Sequence, residues 1–251
     1  MHNTLIFGLG FLGKPLAEAL WQNGVNVRAV KRHLTSDDIN LPFALDTLDL
    51  SPQSRLPAWK DYPTWVFLLP PSQVADYAQT LAALVQYAES AGVAQLVFGS
   101  STSVYGSQAR VCDEHSSLHP ETASAHAIVA AEQSCLNSTV AHVDILRFGG
   151  LYAAERHPVY SLLKRQNNTG AHQPVNMVHR DIALAALVRA IQQPNGKRVR
   201  NIVEAQHPSK AEFYAAEAAK LCVAAPHFDL SDTRSGKTVV SVFDDVLSAV
   251  A

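Results

Sequence analysis

Apolar positions along the chain keep two rhythms. Short, nearly unbroken apolar runs occur at residues 5–7, 25–30, 44–48, 64–69, 95–98, 143–147 and 199–203, the third of them the weakest. Between them lie longer stretches, 12–23, 73–90, 122–136, 182–191 and 209–222, in which apolar side chains recur every three or four residues. The runs predict strands of a parallel sheet buried on both faces, and the amphipathic stretches predict the helices that cover it. In the first helix Leu12, Leu16, Ala19 and Leu20 share one side, and Gly24 supplies the stop. The predicted fold class is α/β, a doubly wound parallel sheet in one domain spanning 1–251. Right-handed crossovers bring the carboxyl ends of the strands to one edge, where a ligand is expected at the point of order reversal. Residues 151–180 and 204–251 are too short for an independent domain and are expected to form a small C-terminal substrate lobe over that edge.

The first strand runs directly into Gly8-Leu9-Gly10-Phe11-Leu12-Gly13, a G-x-G-x-x-G in the strand–turn–helix setting that gives this pattern its meaning. Gly8 permits the tight turn, Gly10 lets a diphosphate approach the backbone, and Gly13 lets the helix lie close to the strand. The helix start then offers unpaired amides and partial positive charge to the phosphates. A nicotinamide dinucleotide is the expected ligand. Which one is read at the end of the second strand, where an acidic residue suits the ribose 2′-hydroxyl of NAD and cations suit the 2′-phosphate of NADP. That strand ends Val30-Lys31-Arg32-His33, with no carboxylate before Asp37. Lys31 and Arg32 therefore point to NADP, with NAD as the alternative.

Composition narrows the partners. The apolar fraction of 47% and charged fraction of 17% suit a packed core, and a net charge of −2 gives no electrostatic case for nucleic acid or an anionic membrane surface. No stretch approaches the roughly 18 apolar residues of a membrane span, and Met1-His2-Asn3-Thr4 carries no basic leader, so a cytoplasmic protein is expected. Cys112, Cys135 and Cys222 are widely spaced and read as reduced thiols, and the scattered histidines give no metal-binding spacing. No phosphate-hydrolysis loop or serine-hydrolase elbow occurs. A small-molecule substrate is the expected partner.

Several further segments fall in a recognisable order: Asp49-Leu50, then Val66-Phe67-Leu68-Leu69-Pro70-Pro71, then Phe98-Gly99-Ser100-Ser101-Thr102-Ser103-Val104-Tyr105-Gly106, then Leu146-Arg147-Phe148-Gly149-Gly150-Leu151-Tyr152, then Val178-His179-Arg180-Asp181-Ile182-Ala183. Together with the glycine-rich turn they resemble the extended short-chain dehydrogenase/reductase family, the NAD(P)-dependent epimerase/dehydratase group. The resemblance implies a Rossmann-like fold. It also implies cofactor contacts from Gly8, Gly10, Phe11, Leu12, Gly13, Asp49, Leu50, Leu69, Pro70 and Ser100, in addition to Lys31 and Arg32. Ser101, four residues before Tyr105, matches the family serine or threonine that polarises the substrate oxygen, and Tyr105 matches a tyrosine that is mostly structural. Family members often dimerise through helices here at about 73–90 and 122–136. The face Ala123-Ala127-Ala130-Ala131 suits a homodimer and an internal core equally.

The family's Y-x-x-x-K pair, however, is missing. Pro120 and Glu132 fix the register and put Ser124 at the tyrosine position and Ile128 at the lysine position. Serine titrates far above neutrality and isoleucine carries no charge, so general acid–base help worth ~10²–10⁴-fold in rate is not supplied there. His126 is the nearest substitute base, but two residues of helix turn it well away from Ser124. Arg147 suits either a phosphate or an ion pair, and Asp181 suits a helix start. Two functions stay open: an NADP-dependent oxidoreductase or epimerase acting on a nucleotide-linked or small polar substrate, and a non-catalytic NADP-binding redox sensor or regulator.

Overall fold

The structure, a computed structural model, describes residues 3–245, so the end of the expected lobe, 246–251, lies outside the described residues. In chain order the strands are β1 (Thr4–Phe7), β2 (Val27–Lys31), β3 (Ala44–Thr47), β4 (Thr64–Phe67), β5 (Gln95–Ser101), β6 (Val111–Cys112), β7 (His142–Phe148), β8 (Gly150–Tyr152), β9 (Met177–His179), β10 (Lys197–Ile202) and β11 (Thr238–Val239). The helices are α1 (Gly13–Gln22), α2 (Tyr77–Ser90), α3 (Ala123–Asn137), α4 (Val159–Leu162), α5 (Arg180–Gln192) and α6 (Lys210–Lys220).

Seven strands form one wholly parallel sheet in the order β3-β2-β1-β4-β5-β7-β10. This is the Rossmann-like arrangement, and the order reverses between β1 and β4, where a ligand crevice opens beyond the strand ends. The period of two sorts the side chains into two cores. Leu5, Phe7, Trp65, Phe67, Leu96 and Phe98 pack toward α2 and α3, whereas Ile6, Val66 and Val97 pack toward α1 and α5 with Leu16, Leu20 and Leu187. Both faces of each central strand are thus dry, which is why those runs read as continuously apolar.

Two departures from the sequence expectation bear on the site. The helix expected over 73–90 starts only at Tyr77: Pro71–Gln73 makes a separate 3-10 turn, and Asp76 adopts a left-handed φ of 44° that breaks the path. β5 runs three residues past the expected 95–98, because Gly99, Ser100 and Ser101 keep their pairing with Leu146, Arg147 and Phe148. That extension delivers both serines to the crevice edge.

Above this edge, β8 pairs with β9 and β6 with β11, and Val175, Met177 and Phe213 form a small separate core. The lobe is stapled to the sheet by Lys237, whose Nζ donates to the carbonyls of Thr102 (2.5 Å) and Gly106 (2.6 Å). None of the helices among the described residues is long and apolar enough to cross a membrane.

Candidate functional site

The glycine-rich turn can be tested on its own geometry. Gly8 has a φ of +97°, and a Cβ there would lie 2.6 Å from the Leu68 carbonyl oxygen. At Gly13 a Cβ would lie 1.9 Å from the Gly8 carbonyl oxygen, yet at Gly10 it would meet nothing within 4 Å. The outer glycines are demanded by the chain's own packing; the middle one faces open crevice. α1 begins there with no side-chain cap and no acidic residue in its first turn, as does α2 elsewhere, whereas α3, α5 and α6 are capped by Thr122, His179 and Ser209. Its leading amides are left for an anion, so the residues present fit the diphosphate of a dinucleotide.

From Gly10 the crevice extends both ways as two cavities that share Gly10, Leu69 and Pro70. The first, about 350 Å³, is lined by Lys31, Arg32, His33, Asp49, Leu50 and Gln73 among others. The two cations expected to act together there are differently engaged. Lys31 Nζ lies 2.5 Å from a carboxylate oxygen of buried Asp38, which also accepts 2.7 Å bonds from the Thr35 amide and hydroxyl. Burial opposes ionisation of Asp38, but Lys31 and Thr35 overcome it and hold the carboxyl down at about 2. Arg32 instead spans the mouth, donating from Nη1 to the Gln73 backbone oxygen (3.1 Å) and from Nη2 to its side-chain oxygen (2.9 Å). Among the described residues it makes no ion pair. Sequence reasoning missed Asp38, although the spacing of Thr35 and Asp38 is that of a capping box and carried the signal.

The second cavity, about 360 Å³, is bounded by the turn residues Phe11, Leu12 and Gly13 and by Ser100, Ser101, Ile128, Phe148, Leu151 and Arg156. Ser101 ends β5, and its Oγ accepts 3.1 Å from the Ser103 amide, so its own proton remains available to donate into the cavity. Ile128, at the expected lysine position, lines the wall. Ser124 and His126 are exposed and lie outside the lining of both cavities; Ser124 shares a 3.1 Å hydrogen bond with Thr122 instead. Tyr77 reaches the same cavity, but its hydroxyl donates to the Leu69 carbonyl (3.0 Å) and burial pushes its pKa far up, which unfits it for proton transfer.

Behind this wall sits a buried polar network. Ser100 Oγ donates to Glu132 (2.5 Å), and Arg147 grips the same carboxylate from Nε (2.9 Å) and Nη2 (2.7 Å). Arg147 Nη1 donates to the Tyr105 hydroxyl (2.9 Å), which donates onward to Asn201 (2.9 Å). Of the two readings open for Arg147, the structure takes the ion pair. Tyr105 is wholly buried and serves the scaffold. Asp181 stands exposed in the first turn of α5.

A third cavity, about 290 Å³, lies between the turn after β5 and the lobe, lined by Thr102, Gly106, Asn176, Lys210, Tyr214 and Lys237 among others. It contains two lysines and no carboxylate.

Comparison with known proteins places this geometry. Residues 4–203 match the NAD dependent epimerase/dehydratase family. The chain belongs to that family. Protein YeeZ of Escherichia coli K12 is 30% identical over 95% of this chain and 91% of its own length. Among solved structures, a conserved protein of unknown function from Silicibacter pomeroyi superposes with a TM-score of 0.80 at 19% identity, covering 99% of this chain and 92% of that one. MoeE5, solved with UDP-glucuronic acid and NAD, gives 0.76 at 24% identity over 98% and 92%. UDP-glucuronic acid 4-epimerase of Bacillus cereus, solved with NAD, gives 0.78 at 16% identity over 97% and 90%. At these identities the structural likeness establishes the fold, and the epimerase/dehydratase membership rests on the sequence match.

Proposed function

We propose that this family member binds NADP(H) across the two joined cavities and transfers hydride between it and a small polar substrate. The observation that carries the reading is the open face at Gly10: uncapped α1 amides stand at the centre of one continuous crevice, with Arg32, which makes no ion pair among the described residues, at its far end. The dinucleotide, when bound, supplies or accepts the hydride. Ser101 donates its hydroxyl proton as a hydrogen bond to the substrate oxygen at the other end. Lys210 and Lys237 in the third cavity suit an anionic end of the substrate. With Ser124 and Ile128 where the tyrosine and lysine would stand, water has to exchange the proton, so turnover is expected to be slow by the ~10²–10⁴-fold that acid–base help is worth.

A second reading, a redox sensor that holds NADP(H) without turnover, is favoured by one observation: among the described residues, and apart from the hydrogen-bonded Tyr77, the only titratable side chain lining the second cavity is Arg156. One experiment separates the two. The protein is incubated with NADPH and a panel of sugar nucleotides and carbonyl compounds, following absorbance and product. Oxidation of NADPH that disappears in Ser101→Ala supports the enzyme. Tight NADPH binding with no turnover across the panel supports the sensor, and no binding of any nicotinamide dinucleotide defeats both.

A further inference from the structure

Above the glycine-rich turn, residues 153–156 form a tight bend after β8, closed by the Arg156 amide donating to the Ala153 carbonyl at 3.0 Å. Ala153 and His157 are buried on either side of it, so the bend is anchored at both ends. Arg156 itself is exposed and lies over the crevice, its guanidinium carbon 4.7 Å from the centroid of Phe11, the residue at the middle of the turn. A second cation, Arg180, sits 5.4 Å from the same ring centroid. The two are not equivalent. Arg180 is neutralised by Glu155, with Asp181 at 3.8 Å, whereas Arg156 has neither an ion-pair partner nor a side-chain hydrogen bond among the described residues.

We propose that Arg156 is a diphosphate-binding residue: it closes the cofactor cradle from the lobe side, so that the phosphate nearer the nicotinamide is held between the α1 amides and this guanidinium. The chemistry is specific to arginine. Packing against the aromatic ring fixes the plane of the group, while its N–H donors point outward along the edges, free for phosphate oxygens. The position is specific to the diphosphate. Arg156 shares its cavity with Gly10, Phe11, Leu12 and Gly13, the backbone already turned toward an anion. With Arg180 committed to Glu155, Arg156 is, among the described residues, the cation that lines this cavity without an ion-pair partner. This role is distinct from that of Arg32, which stands in the other cavity beside the expected 2′-phosphate. It rests on the dinucleotide reading above, and the test keeps the two apart.

Dissociation constants for NADPH, NADH, ADP-ribose, ADP and AMP are measured by fluorescence and calorimetry on wild type, Arg156→Ala and Arg156→Lys, with thermal unfolding as a control for folding. The exposed position predicts unchanged stability. Arg156→Ala is expected to weaken all four diphosphate ligands by about tenfold, the worth of a charge-assisted hydrogen bond, and AMP by less than about twofold on the same scale. Arg156→Lys keeps the charge without the fork and is expected to recover part of the loss. Phe11→Leu, which removes the ring, is expected to lower ADP-ribose affinity with Arg156 present and to add little once it is gone. A wild-type protein that binds these ligands while Arg156→Ala binds them equally well overturns the proposal alone. A wild-type protein that binds none of them overturns the dinucleotide reading and this inference with it.

Discussion

At one end of the crevice Lys31, Arg32, His33 and Asp49 surround a cavity of about 350 Å³; at the other, Ser101 stands among Leu69, Ile128, Phe148 and Leu151 around one of about 360 Å³. The first end is furnished with charge for recognising a ligand. The second has a hydrogen-bond donor and an apolar wall, with Arg156 at its rim and the Glu132–Arg147 ion pair buried behind the wall. The contrast teaches that the parts of this fold that hold a cofactor and the parts that move protons are separable. The proposed binding site is built of backbone amides and strand ends that the sheet itself creates, whereas the positions that the resemblance assigns to proton transfer, Ser124 and Ile128, are two side chains of α3.

The comparison can be attacked from its strongest effect downward. If the ion pair behind the second cavity is scaffold, Glu132→Ala leaves Arg147 buried and unpaired and should cost about 3–5 kcal/mol, read as a shift in the urea midpoint. A smaller loss would mean that solvent reaches the pair. Next in size is the glycine contrast. Gly13→Ala drives a Cβ into the Gly8 carbonyl and should lower both stability and dinucleotide affinity, while Gly10→Ala should leave the melting temperature nearly unchanged and still weaken NADPH by about tenfold or more, because its Cβ enters the open space proposed for phosphate. Equal melting losses in the two variants would show that the space above Gly10 is not a ligand site.

Specificity gives the third test. Arg32→Ala should weaken NADPH about tenfold and NADH little, a charge-assisted contact being lost, whereas Lys31→Ala should change either by less than about threefold because Asp38 already neutralises it. Matching losses in the two variants would undo the distinction drawn between these neighbours. The smallest effect is in pH. The Asp38 carboxyl is held below its unfolded value, at about 2, so its contribution is complete above about pH 4 and is lost as pH falls toward 2. Wild type should therefore lose stability more steeply than Asp38→Asn over that acid interval, with parallel profiles from pH 5 to 8. Parallel profiles down to pH 2 would place Asp38 outside the Lys31 pair.

The strands and helices were legible because each central strand is dry on both faces, leaving runs such as Leu5-Ile6-Phe7 and Trp65-Val66-Phe67 that no exposed element would carry. The glycine-rich turn was legible for a related reason: a Cβ at Gly8 or Gly13 has nowhere to go, so the local sequence records a local constraint. Contacts that join distant parts of the chain left weaker traces. Gln73 under Arg32 and Arg156 over Phe11 come from loops whose positions only the folded sheet sets, 41 and 145 residues away from their partners. The choice between a phosphate and an ion pair for Arg147 was likewise undecided until α3 packed on β7 and brought Glu132 to it.

By itself, then, the sequence determined the layered α/β fold, the glycine-rich turn and the absence of a tyrosine–lysine pair at Ser124 and Ile128, since each is written in spacing along the chain. Tertiary structure decided which of Lys31 and Arg32 stays uncompensated, that Ser124 and His126 stand outside the crevice, and that Arg156 leans over the turn. Those outcomes depend on which side chains meet across space, and the pairing of a charge is a property of its neighbours in the fold, not of its neighbours in the chain.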